Sequence, residues 1–369
     1  MFKKALFPGK YIQGQGALAE LPAVMQALGR RGLILASPTS RAKVLPAAGL
    51  DGSSASVVIE TFGGECSETE LARIAGIIQQ EGVDVVAAVG GGKTIDTAKI
   101  AADRAGVPAV VAPTIASTDA PCSGCAVIYS EDNVFESVCY QKMNPAAVIV
   151  DETVIVQAPV RFLVAGMGDA LATWFEAESC RRTQSANACG GLSTTVGLHI
   201  ARLCYDILLE YGLAGKIACE SQAVTPAFSR IVEANILLSG IGFESGGLAA
   251  AHSIHNGLTA LAETHDFYHG EKVAFGVLAG LQISDAQPEV MDTVYGFCET
   301  VGLPTTLADL GLTNADPTGL ALVAQKACAS EECIHNEAGV ITPENVLHAL
   351  IAADALGRTR KWRPPKIIG

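Results

Sequence analysis

Charge is scarce in this sequence: Asp, Glu, Lys and Arg make up 17 % of its 369 residues, against 49 % hydrophobic. That balance belongs to a folded globular chain and not to a disordered one, so disorder is expected only toward the ends. Positive charge is scarcer still. At a formal net charge of −13 the chain repels a polyanion unless its basic residues gather on one face, so no nucleic-acid partner is expected. The one basic cluster, RTRKWRPPK from Arg358 to Lys366, reads as a solvated terminus. Long apolar runs are missing as well. None approaches a membrane span, so no membrane partner is expected. The stretch MFKKALFPGKYIQGQG meets Pro8 and Gly9 before it can build the apolar core of an export signal. Without such a signal the eleven cysteines, irregularly spaced, read as reduced and partly buried thiols of a cytoplasmic protein. Cys122 and Cys125 have no second pair at zinc-ribbon spacing and read as small residues in a tight loop. Internal repeats and low-complexity linkers are also lacking.

What the chain does have is two halves with different periods. Its length exceeds what one hydrophobic core usually organises, which implies two domains. Up to about residue 151, short β-branched runs alternate with helical stretches: LILAS (33–37), SVVIE (56–60), DVVAAVG (84–90), PAVVAP (108–113) and AAVIVD (146–151). Continuous apolar strands suit a parallel sheet covered on both faces, with TIDTAKIAADRAG as a crossover helix ending at Gly106. After Pro159 the strand signals give way to long Ala/Leu-rich helical patterns. The expected fold is therefore an α/β Rossmann-like parallel-sheet domain over residues 1–158, followed by an all-helical domain over 159–369, with a ligand cleft where they meet.

Two segments carry candidate chemistry. In DVVAAVGGGKTIDTAK a buried strand runs into Gly90, Gly91 and Gly92 and then opens a helix read as starting at Thr94. Glycines there let backbone N–H groups approach an anion, and the helix N-terminus favours a phosphate. Ala87 rules out a Walker A loop, and the spacing is not that of G-x-G-x-x-G, so a pyrophosphate is the favoured anion. The second segment, residues 247–272, holds four of the seven histidines: His252, His255, His265 and His269. His252 and His255 lie three apart in a helical context and share a face, so both could meet one ion. His269 stands where a loop enters a new helix. A zinc or ferrous site wants three protein ligands and an open position, and a carboxylate is a common third partner. The spacing alone leaves the ligand set open between these histidines and purely structural ones.

The motifs GGGKTIDTAK, PTIASTDAPCS, GMGDALATWFEA, EANILLSGIGFESGGLAAAHSIHNGLTA and HGEKVAFG, with FPGKYIQG near the start and FGGECS at 62–67, resemble those of the glycerol dehydrogenases. These are a branch of the iron-containing, or group III, polyol dehydrogenases, and the resemblance runs along essentially the whole chain. It implies an NAD-binding first domain, a helical second domain holding one divalent metal ion, and oxidation of glycerol or a similar 1,2-diol to the hydroxyketone. Motif by motif it implies Asp169, His252 and His269 as metal ligands, with His255 and His265 as neighbours. In iron-binding relatives a fourth ligand, a histidine, follows the aspartate by one turn; Thr173 stands there, which favours zinc. Asp119 is implied to reach the substrate hydroxyls. Gly91, Gly92, Lys93, Thr94, Thr114, Ser117, Ser123 and Tyr129 are implied cofactor contacts, and Cys125 fills a place where relatives carry a larger apolar residue. Ser37, ending the first strand, stands where these enzymes usually place an aspartate. The family also implies a homo-oligomer, often an octamer. Two other readings share the architecture: an NAD- and metal-dependent lyase of the dehydroquinate synthase type, and a non-catalytic cofactor-binding sensor.

Overall fold

The computed structural model describes residues 1–50, 56–131, 135–313 and 316–362. The chain divides into two compact units, one comprising Leu6–Val160 and Ile217–Gly240, the other Met1–Ala5, Arg161–Lys216 and Ile241–Gly369. The single change of domain expected near residue 158 lies beside the change at Val160; the segment Ile217–Gly240 then returns to the first unit.

The first unit is built on six parallel strands: β1 (Tyr11–Gly14), β2 (Gly32–Ala36), β3 (Val57–Thr61), β4 (Val85–Gly90), β5 (Ala109–Pro113) and β8 (Ala147–Asp151). Their order in the sheet is β1-β8-β5-β4-β2-β3. A separate antiparallel pair joins β6 (Cys125–Tyr129) to β7 (Phe135–Tyr140). Every residue of β2, β4 and β8 is buried, which is what an uninterrupted apolar run requires. Successive side chains go to opposite faces. Leu33, Leu35, Val86 and Ala88 join a core with Ile74 and Ile78 of α2 (Glu68–Glu81) and Ile95 of α3 (Gly92–Ala105). Ile34, Ala36, Val85, Ala87 and Val89 join the opposite core with Leu21 and Met25 of α1 (Leu21–Leu28). From β2 the chain goes to β3 on one side and then to β4 on the other, so the strand order reverses between β2 and β4, where open α/β sheets bind ligands. The turns leaving those two strands begin at Ser37 and Gly91.

Helix α3 begins at Gly92, two residues before the expected Thr94, because Gly91 already occupies the N-cap position; it ends at Gly106 in the left-handed conformation (φ 70°). The sequence reading missed β1, β6 and β7. The stretch APTIASTDAPCSGCAVIY (112–129), read as a loop around Cys122 and Cys125, is a loop only as far as Gly124, and Cys125 and Tyr129 belong to β6.

No strand follows β8 among the described residues. The second unit is helical, with α4 (Val160–Thr183, from Arg161 on), α5 (Thr195–Glu220, as far as Lys216), α6 (Ala250–Leu258), α7 (His269–Ile283), α8 (Pro288–Val301), α9 (Pro317–Ala327) and α10 (Pro343–Lys361) as its main elements. Glycines let these helices approach backbone to backbone. A Cβ on Gly270 would strike the Ala165 carbonyl oxygen, one on Gly168 the Gly270 oxygen, and one on Gly276 the Ala251 oxygen. These contacts bring α4 against α7 and α6 against α7, which sets the helices that carry Asp169, His252 and His269 side by side. No described helix is long and apolar enough to cross a membrane.

The basic end of the chain is not simply solvated. Arg360 pairs with Asp292 (2.5 Å) and Glu299 (2.7 Å), and Lys361 with Asp309 (2.5 Å), so α10 is pinned to α8 and its neighbour loop. The apolar stem of Arg360 is covered while its fork is paired, which leaves the side chain only 17 % exposed. Residues 363–366 of the basic cluster lie outside the described residues.

Candidate metal centre and nucleotide turn

Three helices each bring one group to the same place. Asp169 lies inside α4 with its side chain 1 % exposed, His252 on the first turn of α6, and His269 is the first residue of α7. Asp169 Oδ1 is 3.1 Å from His269 Nε2 and 3.4 Å from His252 Nε2. One ligating atom from each residue lies within 4.8 Å of the other two. The start of α7 is fixed by Glu271, whose Oε2 accepts from the Tyr268 amide at 2.7 Å while Arg161 holds both its oxygens at 2.6 and 2.8 Å.

Both histidines are oriented from behind. Glu176 Oε1 accepts from the Ala249 and His252 amides at 2.9 and 3.0 Å, capping the start of α6, and its Oε2 takes His252 Nδ1 at 2.6 Å. With Nδ1 committed to that carboxylate, Nε2 is the ring nitrogen left facing Asp169, and its lone pair becomes available to an ion that displaces the proton. On the other ring, Asn256 Nδ2 donates to both Glu332 oxygens (3.0 and 3.1 Å), so Asn256 Oδ1 accepts from His255 Nδ1 at 3.0 Å. His255 Nε2 then accepts from His269 Nδ1 at 3.0 Å, again leaving Nε2 toward Asp169. His255 is thus a neighbour of the cluster. His265 is exposed and meets the Thr259 carbonyl oxygen at 3.1 Å. Thr173, one turn beyond Asp169 on α4, is buried.

The electrostatics follow from packing two buried carboxylates against three imidazoles. Burial alone would raise the Asp169 carboxyl, but His269 and His252 overcome it and hold Asp169 well below the usual carboxylate range. Burial alone would lower His252, yet the Glu176 charge and the hydrogen bonds to Asp169 and Glu176 lift it well above an ordinary imidazole. For His255, burial, then His269, Lys272 and His252, push it well below that value. The Asp169 carboxylate facing two imidazole Nε2 atoms, with Glu176 behind His252, forms a donor set that a divalent cation fits, since the ion supplies the positive charge that protons must otherwise provide.

Glu176 is the residue of this candidate site that sequence reasoning missed. It lies two helical turns after Asp169, on the same face of α4 and within the quoted motif GMGDALATWFEA, and that spacing was the available signal. Replacing Glu176 by Gln keeps the shape and removes the anion. Zinc affinity measured by chelator competition is expected to fall about 10- to 100-fold, as for other outer carboxylate partners of metal-bound histidine; an unchanged affinity would show that Glu176 merely caps α6.

In the first unit, the intrahelical ladder of α3 opens with Ile95 N to Gly91 O at 3.1 Å, so the amides of Gly92, Lys93 and Thr94 precede it. A Cβ on Gly92 would enter open space, the room a phosphate oxygen needs above those amides. Lys93 Nζ lies 2.5 Å from Glu65 Oε2 and 5.0 Å from the Tyr129 ring centroid. Thr94 and Ser123 are buried; Thr114, Ser117, Cys125 and Tyr129 are half-buried around the same strand ends. Burial pushes the Tyr129 phenol up to about 12. Asp119 Oδ2 accepts from Ser239 Oγ at 2.8 Å, and the Asp119 carbonyl oxygen accepts from the Cys122 amide at 3.2 Å, closing a turn. Ser37 Oγ lies 2.7 Å from Ser40 Oγ and accepts from the Ser40 amide at 3.2 Å, so it caps the helical stretch 38–47.

A doubly wound parallel sheet with an anion-ready glycine turn, and a helical unit with a carboxylate–histidine metal centre, define a metal-dependent, nucleotide-binding class of protein. Residues 8–152 match the family described as iron-containing alcohol dehydrogenase. The chain is 49 % identical over 362 residues to a glycerol dehydrogenase of Thermotoga maritima, covering 98 % of this chain and 99 % of that one. It is 48 % identical to a glycerol dehydrogenase of Pseudomonas putida, covering 95 % and 97 %. A crystal structure of a probable glycerol dehydrogenase from Sinorhizobium meliloti superposes with a TM-score of 0.92 at 44 % identity, covering 97 % and 99 %. The chain belongs to the glycerol dehydrogenases of the iron-containing alcohol dehydrogenase family.

Proposed function

We propose that this protein oxidises glycerol, or a similar vicinal diol, to the hydroxyketone with NAD as hydride acceptor, using one zinc ion held by Asp169, His252 and His269. The observation that carries the reading is the convergence of those three side chains within 4.8 Å, with Glu176 and His255 orienting the two rings. An oxygen and two nitrogens leave an open position for substrate, the pattern of catalytic zinc sites. A divalent ion bound there supplies a Lewis acid able to lower the pKa of a coordinated hydroxyl, as it does for water from about 15.7 to about 7. Asp169, His252 and His269 hold the ion, and Asp119 orients the hydroxyls of the diol. The amides of Gly91 and Gly92, with the N-terminus of α3, hold the pyrophosphate of NAD, whose nicotinamide accepts the hydride. The lyase reading asks for lysines and arginines facing a phosphorylated substrate, whereas Lys93, the main candidate, already lies against Glu65 at 2.5 Å. The test is the rise of NADH absorbance with glycerol, abolished by a chelator and restored by zinc; absence of a glycerol-dependent rise in zinc-loaded protein overturns the proposal.

Discrimination between NAD and NADP turns on Ser37. A carboxylate at the end of β2 accepts from the adenosine ribose hydroxyls and repels a 2′-phosphate, and serine keeps a hydrogen bond without the repulsion. Arg41 and Lys43 follow and are exposed. Because aspartate caps a helix as well as serine does, Ser37→Asp preserves the cap at Ser40 while adding the charge. It is expected to raise the ratio of kcat/KM for NAD over NADP about tenfold, equivalent to about 1.4 kcal/mol. Wild-type protein that already rejects NADP by several orders of magnitude refutes this account of Ser37.

A further inference from the structure

Lys99 ends the segment GGGKTIDTAK, sits two turns beyond the glycine turn on α3, and has no part in the chemistry proposed above. It is nonetheless 2 % exposed. A lysine is rarely so deeply buried unless its ammonium has partners. Its Nζ donates to the Ala120 carbonyl oxygen at 2.8 Å and to the Cys125 carbonyl oxygen at 2.5 Å, the two ends of the loop that follows Asp119. One turn earlier on the same helix, Asp96 Oδ1 faces Nζ at 3.8 Å, and Asp96 Oδ2 accepts from the Val127 amide at 3.1 Å. Asn144 Nδ2 takes the Cys122 carbonyl oxygen at 2.9 Å. The loop's own donor to the Ala120 and Cys125 carbonyls is the Ser123 hydroxyl, 3.4 Å from each, so the shorter bonds from the buried Lys99 ammonium are the ones that tie them to the helix.

We infer that Lys99 is a positioning residue: its buried ammonium ties both ends of the loop Ala120–Cys125 to α3, and so fixes Asp119 and the backbone around Ser123 relative to the glycine turn that opens the same helix. Substrate-orienting and cofactor-holding groups are then referred to one rigid element. The inference rests on the glycerol dehydrogenase reading for the roles of Asp119 and the glycine turn.

The test uses zinc-loaded full-length protein. Wild-type turnover of glycerol is measured first, and its absence counts against the dehydrogenase reading and not against the clamp, which the NADH titration below still tests. Lys99→Met keeps the buried stem and removes the clamp; it is expected to raise KM for glycerol and the NADH dissociation constant, read by fluorescence titration, about tenfold or more, with zinc content unchanged. Because this variant leaves Asp96 buried without its cation and is expected to lose stability for that reason alone, the double variant Lys99→Met, Asp96→Asn is measured beside it. The double variant is expected to regain the wild-type unfolding temperature yet keep the raised KM and dissociation constant. Recovery of both constants along with the unfolding temperature would reduce Lys99 to a structural ion, and a folded Lys99→Met protein with wild-type constants would equally overturn the inference.

Discussion

On the proposed ligand set, His252→Ala is expected to strip the protein of its metal ion and, with it, of more than about a thousandfold of its turnover, since three protein ligands would become two where a catalytic zinc site needs three. The loss is compounded behind the ring. Glu176 keeps its two backbone amides but loses the imidazole at 2.6 Å, and Asp169 loses one of its two facing imidazoles, so two buried carboxylates are left with less positive charge. Breaking a buried charge pair from one side costs about 3–5 kcal/mol, and the variant is expected to be less stable as well as metal-free. NADH titration of the variant provides the check that the first unit is intact. His255→Ala and His265→Ala separate ligand from neighbour. Removing His255 takes away the acceptor for His269 Nδ1 at 3.0 Å and is expected to weaken zinc about 10- to 100-fold without abolishing it. His265 touches only the Thr259 carbonyl oxygen in this region, and its removal should leave zinc unchanged. Elemental analysis after dialysis against a weak chelator measures all three; full zinc occupancy in His252→Ala would remove that residue from the ligand set.

The difference between what the sequence discloses and what it conceals has a physical pattern. Strands β2, β4, β5 and β8 are legible because each is buried on both faces, so their side chains are apolar without interruption. The edge strand β1, YIQG, is half-buried throughout and carries a glutamine whose Nε2 donates to Glu152 and to the Ser229 carbonyl oxygen; its polar content hides it. The β6–β7 pair is short and lies outside the main sheet, and its first residues follow a loop rich in small hydroxyl side chains. At the metal centre, a histidine cluster is conspicuous in any sequence, but a glutamate in an Ala-rich helix looks like a solvated surface charge. Only the packing of α4 against the start of α6 shows that Glu176 is 2 % exposed and committed to His252. The same holds for Lys99 in the first unit and for Arg360 in the last helix: long charged side chains are usually solvated, and their burial depends on partners far away in sequence.

Asp119→Ala is expected to cost about 100- to 10,000-fold in kcat/KM for glycerol while leaving the NADH dissociation constant within about threefold of wild type. The magnitude comes from hydrogen bonds to a charged acceptor, each worth about 1.5–3 kcal/mol, two of which a carboxylate can make to adjacent hydroxyls. The selectivity comes from where the residue sits. Asp119 belongs to the segment that follows β5, beyond the carboxyl end of a parallel strand, whereas the turn assigned to the pyrophosphate leaves β4. Its orientation is set by Ser239, which is fully buried and donates Oγ to Oδ2 at 2.8 Å, and by the turn closed between its carbonyl oxygen and the Cys122 amide. Ser239→Ala should therefore reproduce part of the defect, about tenfold, by freeing the carboxylate to rotate without removing it. Asp119→Asn separates charge from shape: it retains an acceptor oxygen, so it should fall between wild type and the alanine variant if the carboxylate accepts from the diol. Steady-state kinetics over a range of glycerol concentrations, with NADH binding followed by fluorescence, decides the matter. An unchanged dependence on glycerol in Asp119→Ala would make Asp119 a turn residue that caps its own loop.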